Sequence, residues 1–307
     1  MASKHQNPSD DISFYFQSNI PDLIPIPPRA GTSSIQVYKY TDNPTKSWSI
    51  LKVKVNSDKV VQPIAPSDIP EGSTRFVCIS DTHGKTDTLD IPSGDVLIHA
   101  GDFTQRGLPQ EVTKFNEFLG RLPHKYKIVI AGNHDISFET DKYSHLLWST
   151  FSHPKKYNSS EIKQSLRNCI YLEDCGVEVL GFKIFGSPWQ PEFQNWGFNL
   201  IRGGAILKKW DQIPEDIDVL VTHGPPVGQG DLTKGGIRSG CVELLKTVRE
   251  RVKPRYHIFG HIHEAYGVTT DGYTTYINAS TCNLHYKPLN PPVVFDIQNT
   301  VKSDVVL

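Results

Sequence analysis

From Arg75 onward one pattern recurs: a short apolar run rich in Val and Ile, then a polar cluster of His, Asp, Asn and Gly. The runs are RFVCIS, DVLIHA, YKIVIA, DVLVT and YHIFG. The clusters that follow them are DTHG, GDFTQRG, GNHD, HGPP and HIHE. Runs this short and this apolar suit strands buried on both faces. Helical patterns separate some of them, over residues 109–122 and 241–252, with Pro109 and Glu111 placed to open the first. Strand alternating with helix predicts an α/β chain. Three further runs, VEVLGFKIFGS, YTTYINAST and PPVVFDI, have no helix between them and predict antiparallel pairing. The expected architecture is a mixed sheet, or two packed sheets, with helices outside.

In α/β sheets, ligands bind beyond the carboxyl ends of the strands. Here those ends present Asp81 and His83, then Asp102, then Asn133, His134 and Asp135, then His223, then His261 and His263. Within Asp81/His83 and His261/His263 one residue intervenes, so on extended backbone both side chains leave the same face. A nitrogen and oxygen donor set without cysteine suits Mn²⁺, Fe or Zn²⁺. With His134 and Asp135 set aside, seven such donors exceed what one first-row ion holds; two ions about 3.5–4 Å apart, sharing a carboxylate, would use these seven. The neighbouring Gly84, Gly101, Gly132, Gly224 and Gly260 are expected to let the backbone turn sharply where these groups converge.

Composition narrows the partners. Lys plus Arg is 32 and Asp plus Glu 33, for a net charge of −1, which argues against long nucleic acid or an anionic membrane as the main partner. The opening MASKHQNPSDDISF has no apolar signal core, and no apolar run reaches the length of a membrane span. Cys78, Cys169, Cys175, Cys241 and Cys282 are scattered, odd in number and without CxxC spacing, so reduced thiols are expected rather than disulfides or a zinc knuckle. The expected setting is the cytoplasm. Residues 1–72 are proline-rich and read as an extension packed on a main domain of residues 73–307. Its tip, roughly the first dozen residues, reads as disordered, and IQVYKY and WSILKVKV as paired edge strands.

In this order D-x-H, G-D, G-N-H-D, x-H-G and G-H-x-H resemble the calcineurin-like metallophosphoesterase superfamily, over about residues 75–297. The stretches SDTHG, LIHAGDFT, GSPWQPEF, THGPP, SGCVELL, FGHIHEAYG and YINASTC are similar to its MPPED (239AB-type, UPF0046) branch. The resemblance implies a central β-sandwich of two mixed sheets flanked by helices. It also implies hydrolysis of small phosphodiesters, cyclic nucleotides included, through a hydroxide bridging two divalent ions, Mn²⁺ favoured and Fe or Zn²⁺ as alternatives. Asp81, His83 and His263 would hold one ion and Asn133, His223 and His261 the other, with Asp102 bridging. By the same resemblance His134 protonates the leaving oxygen, and Asn133, His134 and Arg106 contact the substrate. The alternative is a nucleotide- or metal-binding scaffold with weak residual activity. Loss of His261 would be the route to it, and this chain keeps His261. Phosphoprotein phosphatases of the superfamily read G-D-x-V-D-R-G, where the second acid orients the catalytic histidine. GDFTQRG has Gln105 there, which weighs against a protein phosphatase.

Bland roles cover the remaining features. His99 reads as a buried hydrogen-bond partner with a secondary role beside Asp102, and Asp135 as a loop anchor or helix cap. His5, His124, His145, His153 and His257 read as residues without chemistry, and His285 as a surface group or a substrate contact. The aromatics of SPWQPEFQNWGF form a satellite core or stack on a base. Cys241 packs, KTVRERV is a solvated face, and the loop carrying Asp231, Lys234 and Arg238 is a lid or a connector.

Overall fold

The computed structural model describes residues 23–52, 59–61, 68–152 and 156–299. Its strands in chain order are β1 (Ile24–Ile26), β2 (Lys59–Val61), β3 (Ser73–Ile79), β4 (Val96–His99), β5 (Tyr126–Val129), β6 (Ile170–Tyr171), β7 (Cys175–Val179) and β8 (Phe182–Ser187). They continue with β9 (Gln190–Pro191), β10 (Asn199–Leu200), β11 (Val219–Thr222), β12 (Tyr256–Phe259), β13 (Gly267–Thr270), β14 (Thr275–Asn278) and β15 (Val293–Gln298). The α-helices are α1 (Pro44–Leu51), α2 (Pro109–Arg121), α3 (Tyr143–Phe151), α4 (Ser159–Ser165), α5 (Gly204–Trp210) and α6 (Val242–Lys246). Helix α6 runs on as a π-helical segment, Thr247–Val252.

All five apolar runs are strands, and they divide between two sheets. One sheet has five strands in the order β15-β3-β4-β5-β6; the other has eight in the order β1-β7-β8-β11-β12-β14-β13-β2. Within each, a parallel core carries antiparallel strands outside: β3 to β6 are parallel with β15 reversed, and β8, β11, β12 and β14 are parallel with β7 and β13 reversed. The expected antiparallel pairing thus holds for VEVLGFKIFGS and PPVVFDI. It holds for YTTYIN as well, since β14 pairs antiparallel with β13; like β8 against β11, β14 also runs parallel to an inner neighbour, β12.

Strand period and burial explain the four layers. Alternate residues point to opposite faces. Phe76 and Cys78, Val96 and Ile98, Val219 and Val221 belong to the core between the sheets. Val77 and Ile79, with Leu97 and Val129, turn outward onto Val112, Phe115, Phe118 and Leu119 of α2. On the far side Leu220, Phe259 and Tyr276 pack against Trp210 of α5 and Leu244 of α6. Helix α2 starts where the sequence placed it, and Glu111 accepts from the N–H groups of Gln105, Arg106 and Leu108. The expected mixed α/β sandwich is the fold.

The proline-rich extension departs from its expected strands. Residues 35–40 form no strand, and WSIL lies in α1, where Asn43 Oδ1 accepts from Lys46 N and Pro44 occupies the first turn. An Asn cap before proline nucleates a helix more strongly than four alternating residues specify a strand. Strands β1 and β2 supply the sheet edges instead, against β7 and β13. Ile35 joins the core over α5, and Trp48 packs on Val227, Val242 and Leu245. The disordered-tip expectation, His5 and His153 lie outside the described residues. All five cysteines are free and buried. No helix among the described residues is long and apolar enough to cross a membrane.

Phe76 joins the two sheets: its ring stacks on Phe295 at 5.1 Å and meets the edge of Phe182 at 5.7 Å. Phe76→Ala should destabilise the protein by about 3–5 kcal/mol. Thermal unfolding should show a clear drop in Tm, while metal content measured below the transition stays that of the parent.

Candidate metal centre

Both sheets deliver the carboxyl ends of their parallel strands to one edge, where the departing segments are laced together. Asp81 N donates to Gly101 O, His83 N to Asp102 O and Gly84 N to Phe103 O, each at 2.9 Å. Gly260 N donates to His223 O at 3.0 Å, which ties the ends of β11 and β12. Asp135 joins the segments after β4 and β5: its Oδ2 accepts from Asp102 N (2.8 Å) and Gly132 N (2.9 Å), and its Oδ1 from Thr104 N (2.8 Å) and Oγ1 (2.7 Å). It is therefore an anchor between loops and makes no cap for the short helix that follows.

Four of the expected donors sit in left-handed backbone: Asp81 (φ 51°), His83 (φ 45°), Asp102 (φ 58°) and His261 (φ 67°). That region costs a non-glycine residue about 1 kcal/mol or more, and strain of this kind collects at functional sites. The glycines act partly as expected. Gly84 and Gly101 have positive φ, but Gly132, Gly224 and Gly260 do not. A Cβ at Gly132 would lie 2.4 Å from Asp102 Oδ1, and one at Gly260 1.9 Å from Asp81 Oδ2. These two positions need glycine because a carboxylate lies against the chain.

The side chains meet in three overlapping groups: Asp81, His83 and His263; His83, Asp102 and His134; Asp102, His223 and His261. In each group one donor atom per residue lies within 4.8 Å of the others. Asn133 joins the third through Oδ1, 3.0 Å from His223 Nε2. His263 Nε2 lies 3.2 Å from both Asp81 Oδ1 and His83 Nε2. All seven expected ligands thus come together, with Asp102 common to two groups.

The polarity of these contacts calls for a cation. His223 Nδ1 donates to Ala100 O (2.9 Å) and His263 Nδ1 to Asn283 O (3.1 Å), so the Nε2 lone pair of each faces inward. His223 Nε2 then confronts Asp102 Oδ2 at 3.4 Å and Asn133 Oδ1 at 3.0 Å, three acceptors turned on one another. Only a proton or a cation reconciles them. Burial lowers the proton affinity of His223, yet Asp102 and Asp81 outweigh it and push the group up to about 9. Burial alone would raise Asp102, but His223 and His134 hold it well below the usual carboxylate range. His83 and His261 are pushed down to about 3 by burial, which leaves them as the neutral imidazoles that metals bind. The residues fit divalent cations.

His134 stands apart in accessibility. Its Nδ1 donates to Gln105 O (2.9 Å) and its Nε2 lies 4.0 Å from Asp102 Oδ2. Its side chain is 13% exposed, against 1% for His83 and 0% for His223. Arg106 is exposed at the rim, its guanidinium carbon 5.1 Å from the centre of the Phe151 ring. His99 is buried, holding Thr82 Oγ1 and Gly101 N, and His257 is buried against Thr222. Asp231 is buried and paired with Arg238, and Lys234 N donates to Glu264 Oε1 at 2.9 Å.

A scan against known protein families matches residues 74–265 to the calcineurin-like phosphoesterase model. The chain belongs to that family. Within it, metallophosphoesterase domain-containing protein 1 of Mus musculus is 52% identical over 281 residues, covering 87% of this chain and 86% of the relative. Its Homo sapiens counterpart is 52% identical over 277 residues, with 86% and 85% covered. UPF0046 protein T07D4.2 of Caenorhabditis elegans is 46% identical over 279 residues, with 87% and 70% covered. These relatives place the chain in the MPPED/UPF0046 branch, and the phosphoesterase is a metal-dependent hydrolase with clustered His and Asp side chains as candidate ligands.

The phosphoesterase site includes groups that sequence reasoning missed. Tyr286 places its ring 4.8 Å from His83 and 5.3 Å from His263. Its neighbour His285, weighed for substrate contact, is exposed and takes no place in this cluster. Ser280 Oγ donates to Asp81 Oδ2 at 3.0 Å. Both lie in the segment after β14; Ser280 falls within YINASTC, and nothing in the sequence singled out Tyr286. In SPWQPEFQNWGF the aromatics split: Trp189 packs in the core, Phe193 lies 5.5 Å from His261, and Trp196 lies 3.9 Å from His134.

Gly260→Ala should fold yet lose metal, because its methyl would displace the Asp81 carboxylate. Elemental analysis of the purified variant should find less metal than in the parent, with the far-ultraviolet circular dichroism unchanged.

Proposed function

We propose that this phosphoesterase hydrolyses small phosphodiesters, with nucleotides and cyclic nucleotides the favoured substrates, using two divalent cations of which Mn²⁺ is preferred. The observation that carries this reading is Asp102, whose Oδ2 lies 3.9 Å from His83 Nε2 and 3.4 Å from His223 Nε2, one ligand of each proposed cation. On this reading Asp81, His83 and His263 hold the first cation and Asn133, His223 and His261 the second. When bound, such a pair lowers the pKa of a water to supply the nucleophile and offsets charge on the phosphoryl oxygens.

The chain's own residues do the rest. Asn133 steadies a phosphoryl oxygen beside the second cation. His134, with Nδ1 tied to Gln105 O, keeps Nε2 turned toward the donor cluster and gives its proton to the departing oxygen. Arg106 meets the substrate at the rim. Residues 73–307 form the catalytic domain, with residues 1–72 as its extension. Five free cysteines support a reducing, cytoplasmic setting, and the near-zero net charge favours small substrates over long nucleic acid.

The purified full chain with Mn²⁺ should turn over bis-p-nitrophenyl phosphate and cyclic AMP faster than p-nitrophenyl phosphate. A preference for the monoester would end the diesterase reading, and no turnover with Mn²⁺, Fe²⁺ or Zn²⁺ would leave a binding scaffold. His134→Ala should keep its metal but lose about 10²–10⁴-fold in kcat. Undiminished kcat would remove His134 from the mechanism.

A further inference from the structure

His134 and Tyr286 stand between two cavities whose walls differ in charge. The larger, about 380 Å³, opens on Asp102, His261 and His263 and carries Glu192 and Glu264. Arg202, the one arginine among the described residues of its walls, donates to the carbonyls of Ser239 and Gly240, both at 2.7 Å. The smaller, about 280 Å³, has no Asp or Glu among the described residues of its walls. It is lined instead by Lys85 and Arg106 and by the rings of Phe151, Trp196 and Tyr286.

Lys85 and Arg106 are exposed, with the Arg106 guanidinium lying over the Phe151 ring. Asp87, the acid nearest Lys85 along the chain, pairs with Lys114 at 2.7 Å. Glu111, which faces the Arg106 loop, accepts from backbone N–H groups of Gln105, Arg106 and Leu108. The aromatic wall is continuous: Trp196 lies 3.9 Å from His134 and 4.9 Å from Phe151, ring centre to ring centre. A planar ring stacks well on such a surface, and a phosphate pairs well with the cations above it.

Resting on the diesterase reading, we propose that the smaller lobe receives the leaving half of the substrate, and that this half carries a second phosphate beside an aromatic base. His134, which hands its proton to the leaving oxygen, lines both cavities, so the charge of the walls decides which one takes the departing half. The larger cavity, with Asp102, Asn133, His261 and His263, keeps the transferred phosphate and the half that stays with it. A second phosphate in that cavity would face Glu192 and Glu264; in the smaller lobe it faces Lys85 and Arg106. The bookkeeping of the step is simple. Water gives phosphorus a new oxygen, the bond from phosphorus to the leaving oxygen breaks, and that oxygen takes the proton of His134, which the proton lost by water restores.

The dinucleotide pApA reads out the direction, because its 5′-phosphorylated half is joined to phosphorus through its 3′-oxygen. Departure of the charged half gives AMP twice; departure of the neutral half gives adenosine and adenosine 3′,5′-bisphosphate. The full chain with Mn²⁺ should release AMP alone, with kcat/KM for pApA about fivefold above that for ApA, the scale of exposed ion pairs. Lys85→Glu should collapse or invert that ratio, and Lys85→Arg should restore it; Lys85 is exposed, so both variants should fold. Release of adenosine with the bisphosphate, or an unchanged ratio in Lys85→Glu, overturns the assignment while turnover of bis-p-nitrophenyl phosphate leaves the diesterase reading standing. Failure of the parent chain on every diester overturns both.

Discussion

Two carboxylates, Asp81 and Asp102, are closed off from water, at 0% and 2% exposure, and the top of the sandwich is built around them. A buried anion is tolerated only when opposite charge and hydrogen-bond donors surround it. Backbone N–H groups give part of that: His261 N donates to Asp81, and His134 N donates to Asp102 Oδ1 at 2.7 Å. Ser280 Oγ adds a donor to Asp81, and the rest falls to imidazoles, two of which are committed elsewhere. With Nδ1 of His223 and His263 bound to main-chain carbonyls, their second nitrogens add lone pairs to a centre already rich in them. The same field that drives a proton onto His223 favours a divalent cation there, which is why the family's metal dependence follows from the local chemistry.

The fold brings these groups together at some cost to the backbone. Each donor-bearing segment leaves the end of a parallel strand and must turn back over the sandwich within two or three residues. Left-handed geometry at Asp81, His83, Asp102 and His261 achieves the turn, and the hydrogen bonds between segments hold it. Asp135 is central to this. Burial and the Asp102 charge raise its carboxyl, while the N–H groups of Gly132 and Thr104 and the hydroxyl of Thr104 oppose that rise. Its contribution is to fix where Asp102 and Asn133 stand relative to each other, so it acts on the centre without entering it.

How far this was legible in the sequence depends on the range of the cause. The donors were legible because ligation demands particular side chains and they follow the apolar runs directly; the extended backbone expected at Asp81, His83 and His261 was not found, since all three turn left-handed beyond the strands. The helix over α1 was also written locally, as Asn43-Pro44, but the alternation of WSILKVKV competes with that signal. The role of Gly260 was legible only as a glycine; its reason, an Asp81 oxygen where a Cβ would stand, arises from a residue far away in the chain. Tyr286 is a case of the same kind. Nothing near it in sequence distinguishes it from His285, and only the packing of the segment after β14 across His83 selects it. The parallel placement of β14 was hidden too, since it depends on which strand of a hairpin takes the inner position.

Gln105 shows how a departure from a related motif can be absorbed by the backbone. Where the protein phosphatases of the superfamily have an acid to orient the catalytic histidine, this chain turns the Gln105 amide away, to donate to His83 O at 3.2 Å. The orienting contact moves to the Gln105 carbonyl, which receives His134 Nδ1–H. A carbonyl fixes the ring's direction without adding a negative charge beside the rim, and Trp196 covers one face of the imidazole to limit its rotation. Removing that charge has a consequence for what can bind. An acid at position 105 would line the smaller cavity beside Lys85 and Arg106 and cancel part of their field; with glutamine there, no acid stands beside them among the described residues of the wall. The substitution that argues against a protein phosphatase is therefore the same one that opens this side of His134 to a second phosphate.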